Sequence, residues 1–153
     1  MDVGIIIGQD VWQRVFTARP HQSGFVAHED DLIVGVPDGV NPEAASLCYL
    51  TELGVAGMRQ LNYEAGERVC VIGLGVIGLG TVAVANAMGA RVTAIANSEF
   101  RRKLALDMGA EVCCLAGEGK RAGIEADVVI LTANPWNAFR EAVDVARFGG
   151  RIS

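Results

Sequence analysis

Charged groups are missing from one long stretch of the chain: no side chain between Val69 and Ala90 carries a charge. A run of that length is about what spans a bilayer. Five glycines, Gly73, Gly75, Gly78, Gly80 and Gly89, divide it, however, and no aromatic or basic residue anchors either end inside it. Strand, turn and helix are expected there in place of a membrane span. The start, MDVGIIIGQD, lacks a charged region followed by a long apolar one, so no signal peptide is expected and the cytoplasm is the default. Basic clusters are also lacking. With 13 Lys and Arg against 18 Asp and Glu, the formal net charge is -5, which disfavours nucleic acid and anionic membranes as partners.

Cysteine and histidine are scarce. The four cysteines, Cys48, Cys70, Cys113 and Cys114, fall at positions that read as buried. Cys113 and Cys114 are adjacent on one expected strand, where neighbours point to opposite faces, so the pair suits neither a disulfide nor a shared metal. Reduced thiols are the plain reading. His21 and His28 form no ligand spacing with Cys48, and one cysteine does not make a tetrahedral zinc site. No metal site is expected in this chain.

The uncharged stretch itself carries the main signal. Val69, Cys70, Val71 and Ile72 form a largely β-branched run suited to a strand buried on both faces of a parallel sheet. Gly73, Gly75 and Gly78 follow as G-x-G-x-x-G, and Val76 to Met88 reads as a helix ending at Gly89. Each glycine has its own reason: Gly73 for a tight turn, Gly75 for approach of a pyrophosphate to the backbone, Gly78 for close packing of helix on strand. The binding groups are backbone N–H groups, with Val76 and Ile77 in the first turn and the helix dipole behind them.

The remainder alternates in the same way. Arg91 to Ala96 reads as a strand, Glu99 to Met108 as a helix, Glu111 to Leu115 as a third strand and Ala116 to Glu125 as a loop. Asp127 to Thr132 is a fourth strand, Pro135 to Phe148 a helix, and Gly149 to Ser153 opens a fifth strand. This order predicts an α/β fold with a doubly wound parallel sheet, of Rossmann type. Before it, Val15-Phe16, Phe25-Val26 and Leu32-Ile33-Val34 read as short antiparallel strands, with Arg19-Pro20-His21 in a turn. Asn41-Pro42-Glu43 starts a helix that runs to about Leu61, with a break expected at Gly54. The domain boundary is placed near Val40, giving 1–40 as a β segment and 41–153 as the dinucleotide-binding domain.

From about Val15 to Ser153 the chain resembles the medium-chain dehydrogenase/reductase superfamily, the zinc-type alcohol, polyol and threonine dehydrogenases. The segments that carry the resemblance are RVFTARPHQSGFVAHEDDLIVGVPDGVNPEAASL, EAGERVCVIGLGVIGLG, RRKLALDMGAEV, DVVILTANP and FGGRI. The resemblance implies an oxidoreductase passing a hydride between NADP(H) or NAD(H) and a small alcohol or carbonyl substrate. It implies that residues 1–40 are the tail of a GroES-like catalytic domain, so that the chain resembles a partial product. Zinc ligands preceding that tail and an edge strand following Ser153, through which many members form homo-oligomers, would belong to a full-length form. Cys48 falls about where the family's third zinc ligand lies, and Thr51 and Glu52 lie on the helix that faces the nicotinamide side in the family. No catalytic acid or base is named. A non-catalytic nucleotide-binding module and a zinc-independent reductase of the quinone-reductase branch are the alternatives. The glycine motif taken alone also fits methyltransferases.

Cofactor choice turns on the end of the second strand, where an acid would accept the adenosine ribose hydroxyls. Ala96 stands where the family's NAD users carry that acid. Asn97 and Ser98 offer neutral hydrogen bonds, and Arg101 or Arg102 offers a counter-charge for a 2′-phosphate, although Glu99 opposes it. NADP is therefore favoured over NAD. Thr132 and Ala133, at the end of the fourth strand, lie on the ligand side by the carboxyl-end rule. Trp136 is expected to cover the sheet.

Overall fold

The computed structural model describes residues 2–8, 11–20 and 22–153; His21 lies outside them. The chain divides into two compact units, Met1–Tyr49 and Leu50–Ser153. In the first, β1 (Asp2–Gly8), β2 (Val11–Thr17) and β3 (Ile33–Gly35) form an antiparallel sheet in the order β1-β2-β3. Phe25-Val26 is not a strand. Phe25 instead lies under the Arg19 guanidinium, 5.7 Å from its ring centre, and Arg19 is tied by two 2.7 Å bonds to Asp31. The segment from Gln22 to His28 is irregular, and Val26 is 78% exposed, so it has no buried face for a strand to present.

Helix α1 (Pro42–Ser46) starts as its sequence prescribes: the Asn41 side chain accepts from the N–H groups of Glu43 and Ala44, and proline takes the first position. The expected break at Gly54 is not there. The helix is interrupted at Leu47, and α2 (Cys48–Gln60) continues through Gly54. Gly54 is a contact residue. A Cβ on it would meet Thr81 Oγ1 at 2.6 Å and Thr81 Cα at 3.0 Å, while one on Gly80 would meet Thr51 Oγ1 at 3.3 Å. Glycine and threonine thus alternate across the crossing of α2 and α3 (Val76–Ala87), so the two backbones touch.

The second unit holds five parallel strands, β4 (Arg68–Ile72), β5 (Arg91–Ile95), β6 (Val112–Cys114), β7 (Ala126–Leu131) and β8 (Ala146–Ile152), in the order β6-β5-β4-β7-β8. The alternation of β4 sends Val69 and Val71 to one face and Cys70 and Ile72 to the other. The first face packs against Met58 of α2, Val82 and Ala85 of α3 and Ala105 of α4 (Glu99–Asp107). The second packs against Ala142 and Val145 of α5 (Trp136–Val145). A sheet covered on both faces is the doubly wound arrangement the sequence predicts. Cys113 and Cys114 divide between the two faces as expected, and burial pushes both thiols and that of Cys70 up. Cys48, read as buried, is exposed at the start of α2.

The last helix is shorter than expected and its strand begins earlier. Ala146 already pairs with Ala126, and the next partners are Val128 and Arg151, so Arg147 to Gly150 loop out of the ladder. Gly149 takes a positive φ of 76°, and a Cβ on Gly150 would stand 2.9 Å from the Arg147 carbonyl and 3.0 Å from that of Ala126. Phe148 is left fully exposed. Trp136 does not cover the sheet. It stacks on Phe139 at 4.9 Å on the outer side of α5, while Ala138, Ala142 and Val145 face inward.

Charge is concentrated at the amino edge of the sheet. Asp127 accepts from the Arg68 backbone N–H at 2.9 Å, from Arg68 Nε at 3.1 Å and from the Arg147 guanidinium. The Arg68 hydrogen bond, followed by that of Arg147, holds the Asp127 carboxyl well below the usual carboxylate range. A pKa lowered on folding adds stability that is complete above the unfolded value, about 4, and is lost as pH falls towards the folded value. Asp127→Asn is expected to cost about 1–3 kcal/mol in urea unfolding at neutral pH. The gap between wild type and variant should shrink as pH is lowered from about 4 to 2; a gap independent of pH would refute this role for Asp127.

Candidate functional site

The site is built where the sheet order reverses. β4 has β5 on one side and β7 on the other, and the crevice between their carboxyl ends is where open α/β sheets take ligands. Gly73 leaves β4 with φ of 94° and donates its N–H to the Ile95 carbonyl at 2.9 Å. A Cβ on Gly73 would meet the Ala133 Cβ at 2.8 Å, and one on Gly78 would meet the Gly73 carbonyl oxygen at 1.9 Å and Thr132 Oγ1 at 2.8 Å. Neither position has room for a methyl group. Thr132 fastens the turn, its hydroxyl donating to the Gly73 carbonyl at 2.7 Å.

Gly75 differs from both. It caps α3 without a side-chain hydrogen bond, it is exposed, and a Cβ there would meet nothing within 4 Å. The first turn of α3, with Val76 and Ile77 at its head, carries no acidic residue, and its leading N–H groups lack intrahelical acceptors. An anion would find donors, a favourable dipole and free approach there.

Beside this turn lies a cleft of about 250 Å³. It brings Gly73, Asn97, Ser98, Arg101 and Ala133 together, with Ala96 on its wall. Gly78 and Thr132 stand behind it as parts of the turn. Ser98 Oγ caps α4 by accepting from the Arg101 N–H at 3.4 Å. The two arginines separate. Arg102 donates to the carbonyls of Ala96 at 2.6 Å and Asn97 at 2.8 Å, which commits it to the end of β5, whereas the exposed Arg101 guanidinium takes no partner among the described residues.

The far wall of the cleft escaped the sequence reading: Ala116, after β6, and Pro135, Asn137, Ala138 and Glu141, at the start of α5. Glu141 is 8% exposed, and its Oε1 accepts the backbone N–H of Gly117 at 2.8 Å and of Gly119 at 3.2 Å. A signal existed, since Glu141 shares a helix face with Ala138, Ala142 and Val145 and is the one acid on that apolar stripe. Among the described residues no group of three or more His, Cys, Asp or Glu could hold a metal ion. Cys48 and His28 belong to no such group. No described helix is long and apolar enough to cross a membrane.

The family profile described as zinc-binding dehydrogenase matches residues 76–153. The chain belongs to the zinc-binding dehydrogenase family. Within that family it is similar to L-galactonate-5-dehydrogenase of Escherichia coli, 32% identical over 123 residues that make up 75% of this chain and 36% of that one. Among solved structures it resembles the quinone oxidoreductase of Thermus thermophilus, determined also with NADPH, at a TM-score of 0.72 and 27% identity over 98% of this chain and 51% of that one. It also resembles acetophenone reductase of Geotrichum candidum, solved with NAD, at a TM-score of 0.65 and 26% identity over 78% of this chain and 36% of that one. The chain spans less than half the length of the curated relatives it matches, and the part of this dehydrogenase family that it represents is the coenzyme-binding region.

The contrast between two glycines is testable by thermal or urea unfolding. Gly78→Ala is expected to destabilise the fold by about 2 kcal/mol or more, because the added methyl meets backbone that cannot yield. Gly75→Ala is expected to change stability by less than about 0.5 kcal/mol. Equal losses at the two positions would contradict the geometry.

Proposed function

We propose that the Leu50–Ser153 unit binds a nicotinamide dinucleotide, NADPH in preference to NADH, as the coenzyme half of an oxidoreductase acting on a small alcohol or carbonyl compound. The supporting observation is the glycine turn at the switch point, sealed at Gly73 and Gly78 and open at Gly75. In this reading the pyrophosphate meets the N–H groups at the head of α3, and the adenosine ribose rests against Ala96, Asn97 and Ser98. Ala96 brings no carboxylate against a 2′-phosphate, and Arg101 is the free guanidinium beside it. The dinucleotide would supply the hydride chemistry at its nicotinamide ring, and the chain's own residues bind and orient it. The antiparallel strands before α1 are read as part of a GroES-like substrate domain, with the coenzyme domain following from about residue 41.

A second reading, a quinone-type reductase that uses no zinc, is favoured by the likeness to the Thermus enzyme, which extends over nearly the whole chain. Turnover of quinones against alcohols separates the two. Dinucleotide binding without turnover of either would identify a nucleotide-binding module.

Titration of the folded chain with NADPH and NADH, followed by nicotinamide fluorescence, tests the main reading. NADPH is expected to bind more tightly, and Arg101→Ala should weaken NADPH about five- to thirtyfold, less so at high salt, with little effect on NADH. Gly75→Ala should weaken both. Failure of the folded wild-type chain to bind either would overturn the proposal.

A further inference from the structure

The proposed cofactor places one group that neither the glycine turn nor Arg101 accounts for: the adenine base. With a pyrophosphate at α3 and a ribose at the end of β5, the rest of the cleft, lined by Ala116 and by residues between Pro135 and Glu141, is the space left beside them for the base. The cleft's lining includes the apolar Ile95, Ala116 and Ala138, side chains that an aromatic base can rest against, together with Asn137 and a single acid, Glu141.

The carboxylate of Glu141 is half used. Oε1 takes both loop N–H groups, and Oε2 takes no partner among the described residues. Among those residues the sole fully buried side-chain nitrogen or oxygen without a partner is Arg19 Nε, so Oε2 keeps contact with open space, and the space that Glu141 lines is the cleft. A buried carboxylate with a spare acceptor on the lining of such a cleft calls for a donor.

We infer that Glu141 is a specificity residue for adenine, its Oε2 accepting the exocyclic 6-amino group while its Oε1 holds the Gly117–Gly119 loop over the base. This inference rests on the proposed dinucleotide site. A 6-amino group presents hydrogens to the carboxylate, whereas the 6-oxo group of hypoxanthine presents a second acceptor to it. A site built on that bond rejects the analogue that lacks it, by leaving a buried charge unpaired.

The test compares NADPH with its 6-deamino (hypoxanthine) analogue, both followed by nicotinamide fluorescence. Wild type is expected to bind the deamino form roughly tenfold more weakly or worse. In Glu141→Gln the amide oxygen must still serve Gly117 and Gly119, which turns the NH2 group to the cleft, so the preference should vanish or reverse in favour of the deamino form. Equal affinities in wild type, or an unchanged preference in a folded Glu141→Gln variant, would overturn the role of Glu141 while leaving the coenzyme site standing. Loss of binding by all forms in wild type would remove the coenzyme reading and this inference with it. Because wild type is itself compared with two ligands, the question is answered even where the variant does not fold.

Discussion

The site depends on the place where α3 comes to rest against the end of β4. At Gly78 the helix lies so close to the Gly73 carbonyl that no side chain fits between them. That closeness aims the first turn of α3 at the crevice between the diverging strands. Thr132, from the neighbouring strand's end, holds the same carbonyl and so ties β7 to the turn. Glycine is required by absence of volume at Gly73 and Gly78, whereas at Gly75 the space beside the backbone is open.

The two edges of the sheet are built on different physics. At the amino edge, Asp127 pairs with both Arg68 and Arg147, and Arg151 donates to the carbonyls of Leu61 and Asn62 at the end of α2 and pairs with Glu67. These are contacts of a folded chain with itself. At the carboxyl edge polar groups are spare in the geometric sense: uncapped N–H groups on α3, an Arg101 guanidinium without a partner among the described residues, and half a carboxylate on Glu141. The proposed recognition site would draw on this unused hydrogen-bonding capacity, whereas the pairs at the amino edge serve the fold.

Much of this was legible in the sequence because it rests on local rules. The β-branched run to Ile72, the three glycines and the Asn-Pro-Glu helix start all specify their geometry over a few residues, and the alternation of strands and helices specifies the sheet. What was not legible depends on distant partners. Gly54 reads as a helix breaker until Thr81 is seen against it. Phe148 and Ala146 look helical until the pairing of Ala146 with Ala126 ends the helix early. Arg101 and Arg102 are indistinguishable as letters, and only the carbonyls at the end of β5 tell them apart. Glu141 draws no attention as a letter because the loop it binds lies 22 to 24 residues away.

The crossing of α2 and α3 has a mechanical meaning. Helices separated by ordinary side chains can roll on their axes by exchanging rotamers, but Gly54 against Thr81 and Gly80 against Thr51 mesh like gear teeth with no slack between them. A side chain at Gly54 would collide with Thr81, so this close contact leaves little room for α2 to roll independently of α3. The axis of α3, whose first turn has no side-chain cap, is thus held from the flank at Gly80 and Thr81 as well as at its head by Gly78.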